Sequence, residues 1–310
     1  MSRIGHPFQG EIFYEVEASY GAGFALAGGE LPVSSEVQDV RVGSGDRHAK
    51  LMGFDSPLVK ELLEQTKEPV LHVEYYLQAG DTLLDDCVNR IGSCCTLQSL
   101  AFEIESNSCA AADEKSYYYF KGCKPSTVKI AATKNSPYTI TIDYEAKSVA
   151  TAASGATDPG TASLGNVCAF HIAGNIRRGA AFGTDVAYIV NSIDIDINHN
   201  LTGYTDHDEL EKSYLVEGEM AVSGTVDIAL DNGGGIHMHE VLSNLPFAIR
   251  IRTSDATGAA GLTFAQLDLP GCEWDSSDID QSVGGEMMME SASFTCVPSS
   301  CTNILSSPTL

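Results

Sequence analysis

Three stretches of this 310-residue chain hold side chains whose types and spacing could do chemistry. Asp194-x-Asp196-x-Asn198 offers oxygen ligands at alternate positions, as a calcium loop of the EF-hand kind begins. Such a loop needs glycine at its sixth position and glutamate at its twelfth, where His199 and Thr205 stand, so that motif fails. His237-Met238-His239-Glu240 sets two imidazoles on one face of an extended segment, a geometry that metals use. No HExxH and no third ligand accompany it, and surface histidines on a loop are the simpler reading. The third group is the cysteines, nine in all, with five from Cys87 to Cys123. Their spacing lacks the paired CxxC of a zinc site. Most read as small buried apolar residues. One or two disulfides, Cys94 or Cys95 with Cys109 or Cys123, stay open if the mature particle meets an oxidising medium.

Catalytic motifs are missing. The chain has no GxSxG elbow, no Walker loop and no GxGxxG between strand and helix. Gly233-Gly234-Gly235 lacks the lysine of a phosphate loop. Carboxylates are so numerous that some pair can always be posed as acid and base, which carries no weight. The expectation is a protein that is not an enzyme and needs no metal or cofactor.

Charge narrows the class further. There are 42 acidic side chains against 18 basic ones, a formal net charge of −24. Such a surface repels nucleic acid and anionic membranes, and it suits a high-salt setting. Sequence-specific DNA binding is disfavoured, because few cations are on hand for phosphates. The first residues show no apolar signal region, and no run approaches the roughly 20 apolar residues of a membrane helix. The expectation is a soluble protein made inside a cell, without membrane contact.

The elements that must carry these residues are mostly strands. From Ile193 to Asn200 apolar residues alternate with polar ones: Ile193, Ile195 and Ile197 on one side, Asp194, Asp196, Asn198 and Asn200 on the other. That period of two predicts a strand with one buried and one wet face. Met220 to Leu230 suits a second strand, and polar Leu201–Ser213 becomes an extended loop between them. Further strands are expected at Glu11–Val16, Phe24–Leu26, Val37–Val42, Val70–Leu77, Leu100–Ile104, Tyr117–Phe120, Ser126–Ala131 and Tyr138–Tyr144. Later ones are Val167–Ile172, Phe247–Arg252, Leu262–Leu269 and Glu286–Val297. Ser56-Pro57 reads as the start of a helix that ends near Thr66, and Asp81–Cys95 as loops or a short helix. Gly43–Asp55 is a polar loop gathering Arg47, His48 and Lys50, either solvated or docking on an acidic surface.

The fold class expected is mainly β: an antiparallel β-sandwich or partly closed barrel with one flanking α-helix. Residues 1–298 form one domain in two halves, joined by a flexible Ala/Ser/Thr/Gly-rich loop at 148–165, and 299–310 form a poorly ordered tail. Leu100–Tyr144 and Ile193–Leu230 run through a similar series of strands, a weak internal echo.

The central stretch resembles the tail tube (major tail) proteins of tailed bacterial and archaeal viruses. There an alternating strand, a long loop and then Tyr214-Leu215-Val216-Glu217-Gly218 run into Ala221–Asp227, with Gly218, Val222 and Gly224 at the family's pattern positions. Phe13–Phe24, Phe120–Cys123 with Val128–Tyr144, Phe170–Gly174, Leu262–Leu269 and Met287–Val297 are similar more loosely. The resemblance covers most of residues 10–298 and rests on spacing more than identity.

What the resemblance implies is structural: usually hexameric rings that stack into a hollow tube through which viral DNA passes without specific binding. Partners would be other copies of the chain and the tail proteins at the tube ends (tape measure, terminator, baseplate or distal tail components). The location would be the virion tail, after synthesis in the host cytoplasm. Asp194 and Asp196 are then expected to face the bore, with Glu217, Glu219 and Asp227 as further candidates. Arg47, His48 and Lys50 are expected on the loop that reaches the next ring, with Thr202–Ser213 as a second candidate. Two other classes compete: a disulfide-stabilised surface or adhesin-type β-sandwich module, and a hydrolase with an unrecognised pocket.

Overall fold

Alternation of the Ile193 kind recurs along the whole chain, and the computed structural model shows why: nearly every element is an antiparallel strand. The structure describes residues 11–23, 31–33, 37–45, 48–52, 59–64, 67–78, 81–91, 95–107, 115–134, 136–152, 168–170, 176–179, 186–187, 190–229, 246–255, 265–280, 289–297 and 305–306. The first half holds β1 (Ile12–Val16), β2 (Leu31–Pro32), β3 (Val37–Gly43), β4 (His48–Met52), β5 (Val59–Glu64) and β6 (Val70–Tyr76). After helix α1 (Leu83–Val88) come β7 (Leu100–Asn107), β8 (Lys115–Thr133), β9 (Ser136–Pro137), β10 (Thr139–Glu145) and β11 (Ser148–Ala152). The second half holds β12 (Cys168–Phe170), β13 (Ile176–Gly179), β14 (Val186–Ala187), β15 (Val190–Asn198), β16 (Thr202–Tyr204), β17 (Tyr214–Val216) and β18 (Ala221–Ala229). It ends with β19 (Phe247–Asp255), β20 (Ala265–Asp280), β21 (Met289–Cys296) and β22 (Leu305–Ser306).

The two halves repeat one pairing scheme. In the first, β3 pairs β6, β6 pairs β10, β10 pairs β8, and β8 pairs β7 and β11. In the second, β15 pairs β18, β18 pairs β21, β21 pairs β20, and β20 pairs β19 and β22. Irregularities repeat too. An extra residue sits in β3 at Gln38 and in β15 at Asn191, and another in β8 at Ser126 and in β20 at Asp275. Such bulges kink and twist a strand, so matching bulges mean matching curvature. A small hairpin follows the first strand of each scheme: β4–β5 in one half, β16–β17 in the other. The schemes join edge to edge where β8 pairs β15.

The long strands β8 and β20 each serve two sheets. Lys115–Cys123 of β8 lies with β7, while Lys124–Thr133 lies with β10 and β15. The bend falls at Gly122 (φ +62°), and in β20 at Gly271 (φ +68°), a left-handed backbone that favours glycine. Folding the strand over in this way encloses the core. Ile130, Ile140, Ile142, Ile195, Ile197 and Val222 point inward from one layer. Ile12, Phe102 and Phe120 belong to strands of the other, and all join one hydrophobic cluster. Helix α1 plugs an end, burying Leu83, Leu84, Cys87 and Val88. Its start is capped by the Asp81 carboxylate, which accepts from the Leu83 N–H at 2.9 Å.

Several expectations need correction. Val59–Glu64 is a strand, not part of a helix, because pairing with β4 satisfies its backbone while a short isolated helix would be marginal. The helix is α1, within the stretch read as loops or a short helix. The loop Gly43–Asp55 contains strand β4. The strands expected at Tyr117–Phe120 and Ser126–Ala131 are one strand, bent rather than broken at Gly122. Ser148–Ala152 pairs with β8 instead of opening a loop, and Leu305–Ser306 of the tail pairs with β20. The echo also lies elsewhere: Leu100–Tyr144 matches Phe247–Cys296, and Ile193–Ala229 matches Val40–Tyr76. Cys272 and Cys296, opposite each other on β20 and β21, form a disulfide, and Cys95 is disulfide-bonded as well. Cys87 and Cys123 are free and buried, so Cys123 is not a bridging partner. Phe24–Leu26, Cys94, Cys109 and residues 237–240 lie outside the described residues.

Gly224 shows how tight the layer is. A Cβ there would stand 2.5 Å from Cζ of Phe294 and 2.7 Å from the Asp194 carbonyl oxygen. Gly224→Ala should destabilise the protein by about 1–3 kcal/mol, measured by denaturant unfolding, since ring and backbone must both shift.

Candidate assembly face and its anchoring network

The outward side chains of β3, β6, β10, β8, β15, β18, β21 and β20 form one continuous polar face. Opposed residues on paired strands share a face, so the register lays them out in rows. One row runs Asp39, Glu74, Thr141, Lys129, Asp196, Ser223, Thr295 and Glu273. The next contains Ala131, Asp194, Thr225, Ser293 and Ser276. A third sets Ser192, Asp227, Ser291 and Asp278 side by side, with the Ser192 hydroxyl donating to the Asp227 carboxylate. On the other flank, His72 Nδ1 lies 2.6 Å from Asp143 Oδ1, and the Thr127 hydroxyl donates to the same carboxylate. Carboxylates and hydroxyls dominate among the described residues; Lys129 stands in the first row, and Arg41 lies opposite His72 on the flank.

Three of the five acids singled out in the sequence share this face. Asp196 is exposed, and Asp194 and Asp227 are partly so. Lys129 Nζ lies 2.9 Å from Asp194 Oδ2, bridging the seam between the two halves. That hydrogen bond raises the Lys129 pKa above its ordinary value, with burial opposing. Glu219 is exposed just ahead of β18, at the rim of the face.

Glu217 has a different place. Its side chain is 8% exposed and receives a 2.6 Å bond from Lys124 Nζ and a 3.0 Å bond from the Leu97 N–H. Burial alone would raise its pKa, but those bonds and the Lys124 charge bring it below the ordinary value. Lys124 also donates to the Leu215 carbonyl, so the pair ties β17 to β8. It is a structural ion pair and presents no free carboxylate.

Beside it lies a network that sequence reasoning missed. Arg90, following α1, donates to the carbonyls of Gly218 and His199. His199, fully buried, has Nε2 2.9 Å from the Cys87 carbonyl oxygen, so Nε2 carries the proton and Nδ1 faces Arg90. This holds α1 against the start of the β16–β17 hairpin. A lone arginine and a histidine after an alternating strand gave no signal, because their partners are backbone carbonyls far along the chain. Arg47 is outside the described residues, while His48 and Lys50 lie on β4, opposite Glu64 and Leu62. Among the described residues no three His, Cys, Asp or Glu side chains come together as metal ligands. No described helix is long and apolar enough to cross a membrane.

The described residues form a continuous antiparallel sheet with an acidic wet face and open strand edges. A family model described as phage tail tube protein matches residues 8–296, nearly the whole chain, and the chain belongs to that family. No curated protein matches it.

The His199 network makes stability depend on pH. Burial, then the Arg90 charge, pushes the His199 pKa down to about 4 from 6.5. A depressed folded value means its stabilisation is complete above the unfolded pKa and lost as pH falls through the folded one. Urea unfolding from pH 7 to 4 should show a loss on the order of 3 kcal/mol that is missing in His199→Asn, measured as the difference between the two proteins.

Proposed function

We propose that copies of this chain assemble into rings that stack into the hollow tail tube of a virion, with the acidic face lining the bore through which viral DNA passes. The observation that carries this is the continuity of the polar face: one chain offers a wall segment with a sealed apolar back and a carboxylate-rich front. Asp194, Asp196 and Asp227 line the bore in this reading, with Glu219 at its rim and Glu217 held inside the wall. Fixed negative charge repels phosphates, and screening within about 10 Å confines that repulsion to the wall. DNA then slides without a binding site. The hydroxyls of Ser223, Thr225 and Ser293 keep the surface wet without adding cations.

The β4–β5 hairpin, with His48 and Lys50, pairs with no other strand among the described residues and suits contact with a neighbouring copy. The tape measure, terminator and baseplate or distal tail proteins are the partners at the tube ends. The virion tail is the location, after synthesis in the host cytoplasm.

Negative-stain microscopy of concentrated protein tests the reading, with rings or tubes expected and dispersed single chains against it. The lining is tested separately by Asp196→Lys with Asp227→Lys. Asp194 is left unchanged because its bond to Lys129 holds the seam. Tubes should form, and DNA delivery by particles carrying them should fall about tenfold or more as phosphates bind the added cations. Undiminished delivery would remove these acids from the bore.

A further inference from the structure

The seam between β8 and β15 has a counterpart that the single chain leaves unfilled. In the repeated scheme β20 corresponds to β8 and β3 to β15. Yet the edge of β20 past Cys272 and the outer edge of β3 have no partner strand among the described residues. An open edge presents unpaired N–H and C=O groups, a template for a further strand. We propose that β20 (Cys272–Asp280) of one copy pairs with β3 (Val37–Gly43) of the next in the register that already joins β8 to β15, making each chain two consecutive segments of the wall. This rests on the ring-forming reading above.

The repeated bulges fix the register. Lys129 lies three residues past the bulge at Ser126, and Asp278 three past the bulge at Asp275. Asp194 lies three past Asn191, and Arg41 three past Gln38. The internal ion pair Lys129–Asp194 therefore maps onto Asp278 and Arg41, complementary again but with the signs exchanged. Arg41 has a side chain that is 74% exposed and, among the described residues, an ion pair with the neighbouring Asp39 carboxylate. Asp278 is exposed. The apolar side agrees. Ile195 of β15 is fully buried opposite Ile130, whereas its counterpart Val42 is 38% exposed and would stand opposite Ile279.

The hairpins supply an independent sign. β16–β17 and its loop dock on the first half of the same chain, through the Lys67 N–H to the Leu210 carbonyl and through Lys212 to Glu145 at 2.5 Å. The matching hairpin β4–β5 lies within the first half, so the half that would stand in the equivalent place before it is the second half of a neighbouring copy. Pairing of this head-to-tail kind is heterologous: it propagates, and it closes when the rotation returns to its start. A closed ring then contains twice as many wall segments as chains.

The test is a charge exchange read by the protein concentration needed for assembly. Arg41→Asp alone and Asp278→Arg alone should each raise that concentration about tenfold or more, and the two together should restore it. Unfolding curves of all three verify that the protomer is intact. Single reversals without effect, or a double variant no better than the singles, would overturn the proposal. As a second readout, Val42→Cys with Ile279→Cys should give disulfide-linked multimers in oxidised assemblies, and assemblies free of new links would also overturn it. Should the parent protein form no rings or tubes, the tail tube reading itself falls; assembly by the parent with indifferent variants removes this inference alone.

Discussion

Pairing of strand edges governs this molecule. Every backbone N–H and C=O at a sheet edge needs a partner or water, and an antiparallel edge of matching twist is the partner that satisfies a whole row. Inside the chain that need is met between Thr127–Thr133 of β8 and Ser192–Asn198 of β15. This seam turns two four-stranded arrangements into one sheet. It aligns their polar residues into shared rows and places Ile130 and Ile195 against each other in one core.

The rest follows from how that sheet is bent and charged. Gly122 and Gly271 let β8 and β20 fold over into the second layer, so each long strand covers its own apolar face. The two bends sit beside buried Cys123 and Cys272, small enough for the crowded corner, and the second is tied by the bond to Cys296. On the wet face, carboxylates on adjacent strands would repel one another, and hydroxyls between them and the Lys129 bridge moderate that repulsion. A face of this kind keeps its charges compatible with folding and repels polyanions. The buried Lys124–Glu217 and Arg90–His199 contacts serve another end, holding the β16–β17 hairpin and α1 in place.

Much of this was legible in the sequence where one face is buried and the other wet. The alternation at Ile193–Asn198 identified a strand, and its pairing with Ala221–Ala229 matched the expected antiparallel pair. The mainly β antiparallel class followed from the residue pattern, and the family from a resemblance of the central stretch. What misled were residues with two meanings. Ser56-Pro57 followed by Val59, Leu62 and Leu63 fits a helix locally, yet Val59–Glu64 is a strand because its partner β4 is close in sequence. The gap expected between the strands Tyr117–Phe120 and Ser126–Ala131 instead holds a bend at Gly122 and the approach to a bulge at Ser126. Glu217 is indistinguishable by sequence from an exposed acid, since Lys124, which neutralises it, lies 93 residues away. The repeat was hidden for the same reason: equivalent positions share backbone irregularities, not side chains, as Lys129 and Asp278 illustrate.

If the internal seam is the template for the joints between chains, the free edges must gain partners on assembly. Hydrogen–deuterium exchange, compared between dispersed protein and assembled tubes, measures edge pairing directly. The amides of β8 and β15 at the seam should be protected in both states. Those along the outer edges of β3 and of β20 from Glu273 to Asp280 should exchange freely in dispersed protein and become protected on assembly. Equal exchange of the β3 and β20 edges in both states would mean that these edges do not join neighbouring chains.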